Sequence, residues 1–382
     1  MSSAADILAR LGPAADDLGR AHAEELARLD ETAAARRALA LLGDSGLCAW
    51  MVPADFGGAD ASALVGSDTL SVRAAVVLRR GLAYRSAMLD VMLVMQGLGS
   101  YAIANAVDRA LAQELLRAVA AGRVCAAFAL TEPGAGSSLT DIALRARQVA
   151  GGWRLSGHKT FISNAGIADV YTVLARTGDE PDNLTMFCVR APTRGLRCER
   201  FEVLGPHPIG DVYFEEVEVS DGARLGAVGA GLGLALSVLA RLRTSVAAAA
   251  VGFGRRAFDE SRRHLLERKQ FGKPLATFQA LGFDIAEMDT RLRAAELLVD
   301  EAATVVDGGG AGTLEVARAK LFATETAGWV CDRAVQHLGG LGVKRGQVVE
   351  ALYRDVRALR IYEGSSEVQK LILAKELFRQ AK

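Results

Sequence analysis

The feature that most constrains this chain is a change of hydrophobic period. Between Val124 and about Leu225 short alternating runs appear, at Trp153-Arg154-Leu155 and over residues 170–175, 185–189 and 212–219. Turn clusters such as Ala150-Gly151-Gly152 and Thr177-Gly178-Asp179 separate them. Period two with turns at this spacing predicts a small antiparallel β-domain. On either side the apolar residues recur at helical spacing. Before it, residues 18–42 and 106–121 read as helices, with a Gly/Pro-marked break at residues 52–58. After it come long amphipathic segments over 232–269, 275–306 and 312–336. The order is therefore α, then β, then α, an α+β class. The predicted domains are a helical one over 1–123, a β-domain over 124–226 and a helical bundle over 227–382. Gly308-Gly309-Gly310 reads as a plain interhelical loop, because no strand precedes it.

Composition narrows the function classes. Hydrophobic residues make 51% of the chain and charged ones 24%, which suits a folded chain with sizeable cores. Lys+Arg and Asp+Glu number 45 each, so no charge excess selects nucleic acid or an anionic membrane. The five cysteines (48, 125, 188, 198 and 331) are scattered and lack a C-x-x-C pair. That predicts a reducing, cytoplasmic setting with neither a disulfide framework nor a metal site. Residues 1–30 carry charge throughout and read as no signal peptide. The apolar stretch 228–254 is broken by Arg241 and Arg243, so the expectation is a buried helix and no membrane span.

Five segments carry candidate chemistry. In the first, a short apolar run over 126–130 ends in Thr131-Glu132-Pro133-Gly134-Ala135-Gly136-Ser137-Ser138. Pro133 pushes Glu132 out of helical space, and the glycines open backbone conformations closed to other residues. The result is a loop of bare N–H groups and hydroxyls, suited to a planar heterocycle or a phosphate. An ordinary Gly/Pro turn is the plainer reading. The second, Gly157-His158-Lys159-Thr160-Phe161-Ile162-Ser163-Asn164, sets an aromatic and a hydroxyl two residues apart on a predicted strand, hence on one face. A core Phe with a strand-end Ser is the alternative.

The third segment, Arg268-Lys269-Gln270-Phe271-Gly272-Lys273-Pro274, reads as a helix ending at Gly272/Pro274 with cations beside its last turn. Arg268 there is a dipole-complementing surface charge or a partner for a pyrophosphate. The fourth, Gln336-His337-Leu338-Gly339-Gly340, is a helix stop or a close backbone approach to a ligand. In the fifth, Ile361-Tyr362-Glu363-Gly364-Ser365-Ser366-Glu367-Val368-Gln369, either serine suits an N-cap, and Ser366 with Gln369 fits a capping box. Burial and the helix N-terminus pull the Glu363 carboxyl in opposite directions, a balance that suits a general base. A surface carboxylate complementing the dipole is the competing explanation.

In this order and within this α–β–α texture, the five segments resemble the acyl-CoA dehydrogenase family of flavoproteins, over nearly the whole chain. The resemblance implies a helical N-terminal domain, a middle β-domain and a C-terminal four-helix bundle. It further implies FAD as cofactor and a homo-oligomer, a tetramer or a dimer. Phe128, Leu130 and Thr131 would line the flavin, and Ser137 would touch the flavin phosphate or the thioester carrier of the substrate. Phe161 and Ile162 would stand at the flavin face and Ser163 near its N5. Arg268, Gln270, Phe271, Gln279, Gln336, Gly339 and Gly340 would reach the FAD of a neighbouring subunit, and Ser365 and Glu367 that of their own site. Glu363 falls on the family's catalytic base, with Arg243 and Gly364 on the substrate side. Some members carry the base on the helix around residue 240; here that stretch holds Arg241, Leu242 and Arg243 and no carboxylate. The implied reaction is α,β-dehydrogenation of an acyl thioester, with an electron-transfer flavoprotein as acceptor. Three positions depart from the family pattern: Ser138 and Ala240 stand for Asp, and Lys375 for Arg. They keep an acyl group on a carrier protein open beside acyl-CoA. A flavin oxidase or monooxygenase on the same fold is the other enzyme class, against which Glu363 counts. A non-enzymatic scaffold would leave Glu363 and the glycine loops unexplained.

Overall fold

The computed structural model of the protein describes residues 3–66 and 69–380. The N-terminal part is helical: α1 (Ala4–Arg28), α2 (Glu31–Asp44), the single turn α3 (Ser62–Val65), α4 (Val72–Arg85), α5 (Ala87–Ser100) and α6 (Arg109–Ala120). The helix expected over 18–42 is broken between α1 and α2. Asp30 is extended, at φ −64° and ψ 160°, and its carboxylate caps the second helix by accepting from Ala33 N–H. Asp108 caps α6 in the same way.

The middle of the chain is an eight-stranded sheet built from β1 (Ala126–Ala129), β2 (Arg145–Val149), β3 (Gly152–Ser163), β4 (Val170–Arg176), β5 (Leu184–Arg190), β6 (Leu196–Arg200), β7 (Ile209–Ser220) and β8 (Arg224–Leu225). Strand order is β6-β7-β3-β2-β4-β5-β8, with β1 paired to β4. Most neighbours are antiparallel, as the sequence predicts, but β1 and β2 both run parallel to β4. Period two holds over the first half of β7, up to Phe214, whereas β4 and β5 are buried along nearly their whole length and read as continuous apolar runs. Trp153, Phe187, Phe214 and Val217 fill the core of this sheet, the first two with rings 5.3 Å apart.

The C-terminal part is helical again, with α7 (Gly231–Glu267), α8 (Gln279–Asp307), α9 (Thr313–Leu338), α10 (Val348–Leu359) and α11 (Ser366–Gln380). A small hairpin, β9 (Lys269–Gln270) with β10 (Lys273–Pro274), separates α7 from α8. By compactness the chain divides into two units. One comprises Met1–Ala21, Val72–Ala87 and Arg243–Lys382, the other His22–Ser71 and Met88–Leu242. In the first, α9 packs against α8, α10 and α11, and α8 against α4. Asp307, at the end of α8, ties down the start of α4: its carboxylate accepts from Val72 N–H (2.7 Å) and Arg73 N–H (3.0 Å). Two stretches, Ala87–Asn105 and Gly231–Glu267, are long and apolar enough to cross a membrane; 78% and 61% of their apolar windows are buried within the protein, as in core helices.

Small side chains let the helices of the first unit approach closely. Ala247 to Ala250 of α7 are fully buried, and a Cβ on Gly252 would stand 2.4 Å from the carbonyl oxygen of Arg80 on α4. Backbone cannot retreat as a side chain can. Gly252→Val should therefore cost about 1–3 kcal/mol or more of stability, read as a lowered midpoint in urea unfolding; an unchanged midpoint would show that α4 and α7 are not in this contact.

Candidate active site

The Thr131–Ser138 loop is held from behind by a buried ion pair. Glu132 and Ala135 exchange backbone hydrogen bonds (2.9 and 3.0 Å), closing a turn over Pro133 and Gly134. The Glu132 carboxylate accepts from Ala143 N–H (2.5 Å), Leu144 N–H (3.0 Å) and Lys159 Nζ (2.8 Å). Lys159, fully buried on β3, also donates to the Leu130 carbonyl (2.9 Å). Burial pulls its ammonium down to about 8 against the opposing charge of Glu132. The outer side of the loop is left bare: Gly134, Gly136 and Ser137 are exposed, and a Cβ on either glycine would meet nothing within 4 Å.

Next to it, Phe161 is 61% exposed at φ +54°, while Trp153, Tyr171, Phe187 and Phe214 of the same domain are buried. The pleat is not regular here, since a register shift between Lys159 and Ile162 marks a β-bulge. The i, i+2 argument for Phe161 and Ser163 thus needs correcting: the bulge places Phe161 outward, with its ring edge-on to Phe201 at 5.1 Å. Ile162, read from sequence as a flavin-lining residue, turns its side chain into the core (1% exposed). Ser163 is half-buried, and its hydroxyl hydrogen-bonds His207 Nε2 at 2.7 Å. Phe128 is half-buried on β1 and Thr131 half-buried at the loop's start.

A second group lies where α7, α8 and α9 meet. The third segment is not a helix end, because α7 stops at Glu267. Phe271 (φ +51°) and Gly272 (φ +77°) form a two-residue turn with both central residues left-handed, the type that joins a tight hairpin. Arg268 and Gln270 are exposed beside it, and Phe271 is 90% exposed at its tip. Gln279 opens α8, and Gln336 lies in the last turn of α9; both are exposed. The residue after Gln336, His337, is buried and ties the three helices together. Its Nδ1 meets Ser261 Oγ on α7 (2.6 Å), and its Nε2 meets Asp284 on α8 (2.9 Å). Gly339 (φ +58°) and Gly340 are exposed, with open space where a Cβ would stand.

The third group surrounds Glu363. Glu363 (φ +53°) and Gly364 (φ +91°) are consecutive left-handed residues, a conformation that costs a non-glycine residue about 1 kcal/mol or more. Their carbonyls are clamped. Arg243 Nε donates to the Glu363 carbonyl (2.9 Å), while Lys320 Nζ (2.7 Å) and Gln369 Nε2 (2.9 Å) donate to that of Gly364. Burial lowers the Arg243 guanidinium and pulls Lys320 down to about 8, and the charge of Glu363 opposes both shifts. The capping box assigned to Ser366 is corrected: Ser365 is the cap, accepting from Val368 N–H (3.4 Å), and Ser366 instead donates to Glu325 (2.5 Å). Glu367 is exposed in the first turn of α11, near Ser365.

The site residues thus fall into three groups, one in the β-domain unit and two in the other. Sequence reasoning missed Lys159, His207 and Lys320, and gave Gln369 a capping role where its amide instead holds the Gly364 carbonyl. A lone lysine inside an apolar stripe was the available signal for Lys159 and Lys320; Pro206-His207-Pro208 offered only rigidity.

Sequence comparison places the chain. Residues 127–217 match the acyl-CoA dehydrogenase middle domain and residues 229–378 the acyl-CoA dehydrogenase C-terminal domain. Cyclohexane-1-carbonyl-CoA dehydrogenase of Geobacter metallireducens is 34% identical over 347 residues, 90% of this chain and 89% of that one. This chain belongs to the acyl-CoA dehydrogenase family. The CarC subunit of the caffeyl-CoA reductase–Etf complex of Acetobacterium woodii is 36% identical over 277 residues, 70% of this chain and 72% of that one. The structure of butyryl-CoA dehydrogenase from Megasphaera elsdenii superposes with a TM-score of 0.88 at 28% identity, covering 98% of each chain. The family fold, with helical N-terminal, middle β-sheet and C-terminal helical domains, is the one described above. The enzyme is an oxidoreductase acting on a CH–CH bond, and FAD is its cofactor. The residues present fit that group: an outward aromatic face at Phe161 suits a flat heterocycle, and the open glycine peptides at 134, 136, 339 and 340 suit phosphate oxygens.

The Glu132–Lys159 pair is the loop's anchor, so removing one partner should be felt at once. Lys159→Met leaves the Glu132 charge buried without its cation and should cost about 3–5 kcal/mol, measured by urea unfolding; Glu132→Gln with Lys159→Met should recover part of it. Equal losses in the single and double variants would show that the pair is not coupled.

Proposed function

We propose that the enzyme removes the α-proton and the β-hydride of an acyl-CoA thioester to give the trans-2-enoyl-CoA, with Glu363 as the base. The observation that carries this reading is the clamped, left-handed backbone at Glu363 and Gly364. Three donors on three helices fix both carbonyls, so the direction of the Glu363 Cα–Cβ bond is set before substrate arrives. By the family resemblance, the Glu363 N–H is the backbone group we assign to the thioester carbonyl, where it stabilises the charge that develops as the α-proton leaves. Gly364 and Arg243 support that contact from the substrate side. The buried Lys320 and the half-buried Arg243 keep negative charge on the Glu363 carboxylate favourable in a partly desolvated place.

FAD, when bound, supplies the acceptor for the β-hydride. Phe128, Leu130, Thr131, Phe161 and Ser163 would hold its ring system, with Ile162 contributing only backbone, and Ser137 would reach its phosphates or the carrier of the thioester. Arg268, Gln270, Phe271, Gln279, Gln336, Gly339 and Gly340 would hold the FAD of a neighbouring subunit in a homo-oligomer. Ser365 and Glu367 would meet FAD in their own site. The reductase relative whose name includes an Etf complex supports an electron-transfer flavoprotein as redox partner. Relatives named for a cyclohexane and a butyryl acyl group leave ring and short linear chains as first substrates to try.

Anaerobic addition of butyryl-CoA, cyclohexane-1-carbonyl-CoA and the same acyl groups on a carrier protein should bleach the flavin absorbance with one CoA ester; bleaching only by a carrier-protein ester would reassign the carrier. Glu363→Gln should keep FAD yet lose about 10²–10⁴-fold in the rate of bleaching. A Glu363→Gln enzyme that bleaches at the normal rate would place the base elsewhere.

A further inference from the structure

The Ser163 hydroxyl is held by an unusual partner. His207 lies between Pro206 and Pro208, and its Nε2 meets Ser163 Oγ at 2.7 Å. The backbone that carries the imidazole is fixed from several sides. Its own backbone N–H donates to Glu31 Oε2 (2.9 Å) at the start of α2, and Glu31 is in turn bridged by Arg200 of β6. The next residue, Pro208, accepts from Asn164 N–H (2.6 Å), and Asn164 donates from its side chain to the Ala126 carbonyl (2.9 Å). Ser163 is paired with Ile209 across β3 and β7. So the backbones that carry the histidine and the serine are tied to each other by the Asn164–Pro208 bond and the Ser163–Ile209 pairing.

A hydroxyl alone is a free rotor that can donate or accept. Against a neutral imidazole it cannot do both at will. One ring nitrogen carries a proton and the other is bare, and whichever faces Ser163 settles which way the hydroxyl proton points. Burial pushes the His207 imidazole down to about 4, so it stays neutral at working pH and this constraint persists.

We propose that His207 is a positioning residue that fixes the hydrogen-bond role of the Ser163 hydroxyl toward the flavin and thereby tunes the flavin's reduction. This rests on the placement of Ser163 at the flavin made above. If Ser163 donates to His207, its lone pairs remain for a protonated flavin nitrogen and the reduced flavin is favoured. If His207 donates, the serine proton remains for the oxidised flavin and the opposite follows. His207 touches neither substrate nor flavin in this account; it acts only through Ser163.

The test uses the FAD-loaded enzyme and its variants His207→Ala, His207→Gln, Ser163→Ala and the double variant. For each, the flavin absorbance spectrum and the midpoint potential against a reference dye are measured anaerobically. Ser163→Ala and His207→Ala should each shift both quantities. His207→Gln, whose amide can reach the same oxygen, should move them back toward the parent. In the Ser163→Ala background His207→Ala should add nothing, and the sign of the single-variant shift reads the tautomer. A shift in Ser163→Ala with none in His207→Ala would overturn the inference alone. So would a His207→Ala shift that persists undiminished without Ser163. A silent Ser163→Ala would instead remove Ser163 from the flavin, and the inference with it. Should His207→Ala not fold, His207→Asn, whose amide stops short of the serine oxygen, takes its place with the same expected shift.

Discussion

Buried cations spent on backbone carbonyls organise this protein. Lys159 and Lys320 are both fully buried, and each donates to a main-chain oxygen, that of Leu130 and that of Gly364. Taking an ammonium out of water costs several kcal/mol even after relaxation, and both lysines are pulled down to about 8 by that cost. A methionine at either place would fill the same volume without it. What a methionine lacks is a donor able to hold an irregular loop in one geometry. Both loops are irregular for the same reason: a helix or strand would satisfy its own carbonyls and expose no free N–H groups to a ligand. Where the chain must leave regular structure, an outside donor has to replace the ladder, and a charged donor makes the stronger bond.

The two anchors differ in how the charge is balanced. Lys159 has a carboxylate partner in Glu132, whose remaining oxygen capacity goes to Ala143 and Leu144 N–H, so the pair is closed and nearly saturated. At Glu363 two cations face the loop, Arg243 and Lys320, with Glu325 held further off by Arg360 and Ser366. The first arrangement is suited to rigidity. The second leaves the carboxylate of Glu363 as the counter-charge of its own clamp, which joins the shape of the loop to its ionisation.

How much of this was legible in the sequence follows from the range of each interaction. The order α, β, α rests on local period and reads directly. The motif loops read because Gly and Pro restrict the backbone locally. Three boundaries did not: the break at Asp30, the helix end at Glu267 and the cap at Ser365 each depend on a single hydrogen bond or turn between residues that periodicity does not register. The bulge after Lys159 also escapes, since an extra residue is defined only against the partner strand. Lys320 reaches a carbonyl 44 residues away and His207 a hydroxyl 44 residues away, separations at which one sequence carries no signal beyond an odd residue in an apolar or rigid setting.

Backbone strain marks the same places by an independent route. Among the described residues, five non-glycine residues have positive φ: Phe161, Asn164, Glu216, Phe271 and Glu363. Four of them lie in, or next to, segments the proposed function uses, and each is over-determined by its surroundings. The bulge sets Phe161, the tight hairpin sets Phe271, hydrogen bonds to Pro208 and Ala126 set Asn164, and the Arg243–Lys320 clamp sets Glu363. Glu216 is the informative exception. It sits opposite the second bulge of β3, between Leu155 and Gly157, and its carboxylate bonds Ser156 and Arg154 on an exposed face. A positive φ therefore reports only that neighbouring structure has forced the backbone. What separates Glu363 from Glu216 is what does the forcing: two cations, one of them fully buried, against a bulge on an exposed sheet face. Only the former sets a carboxylate where its charge is worth holding.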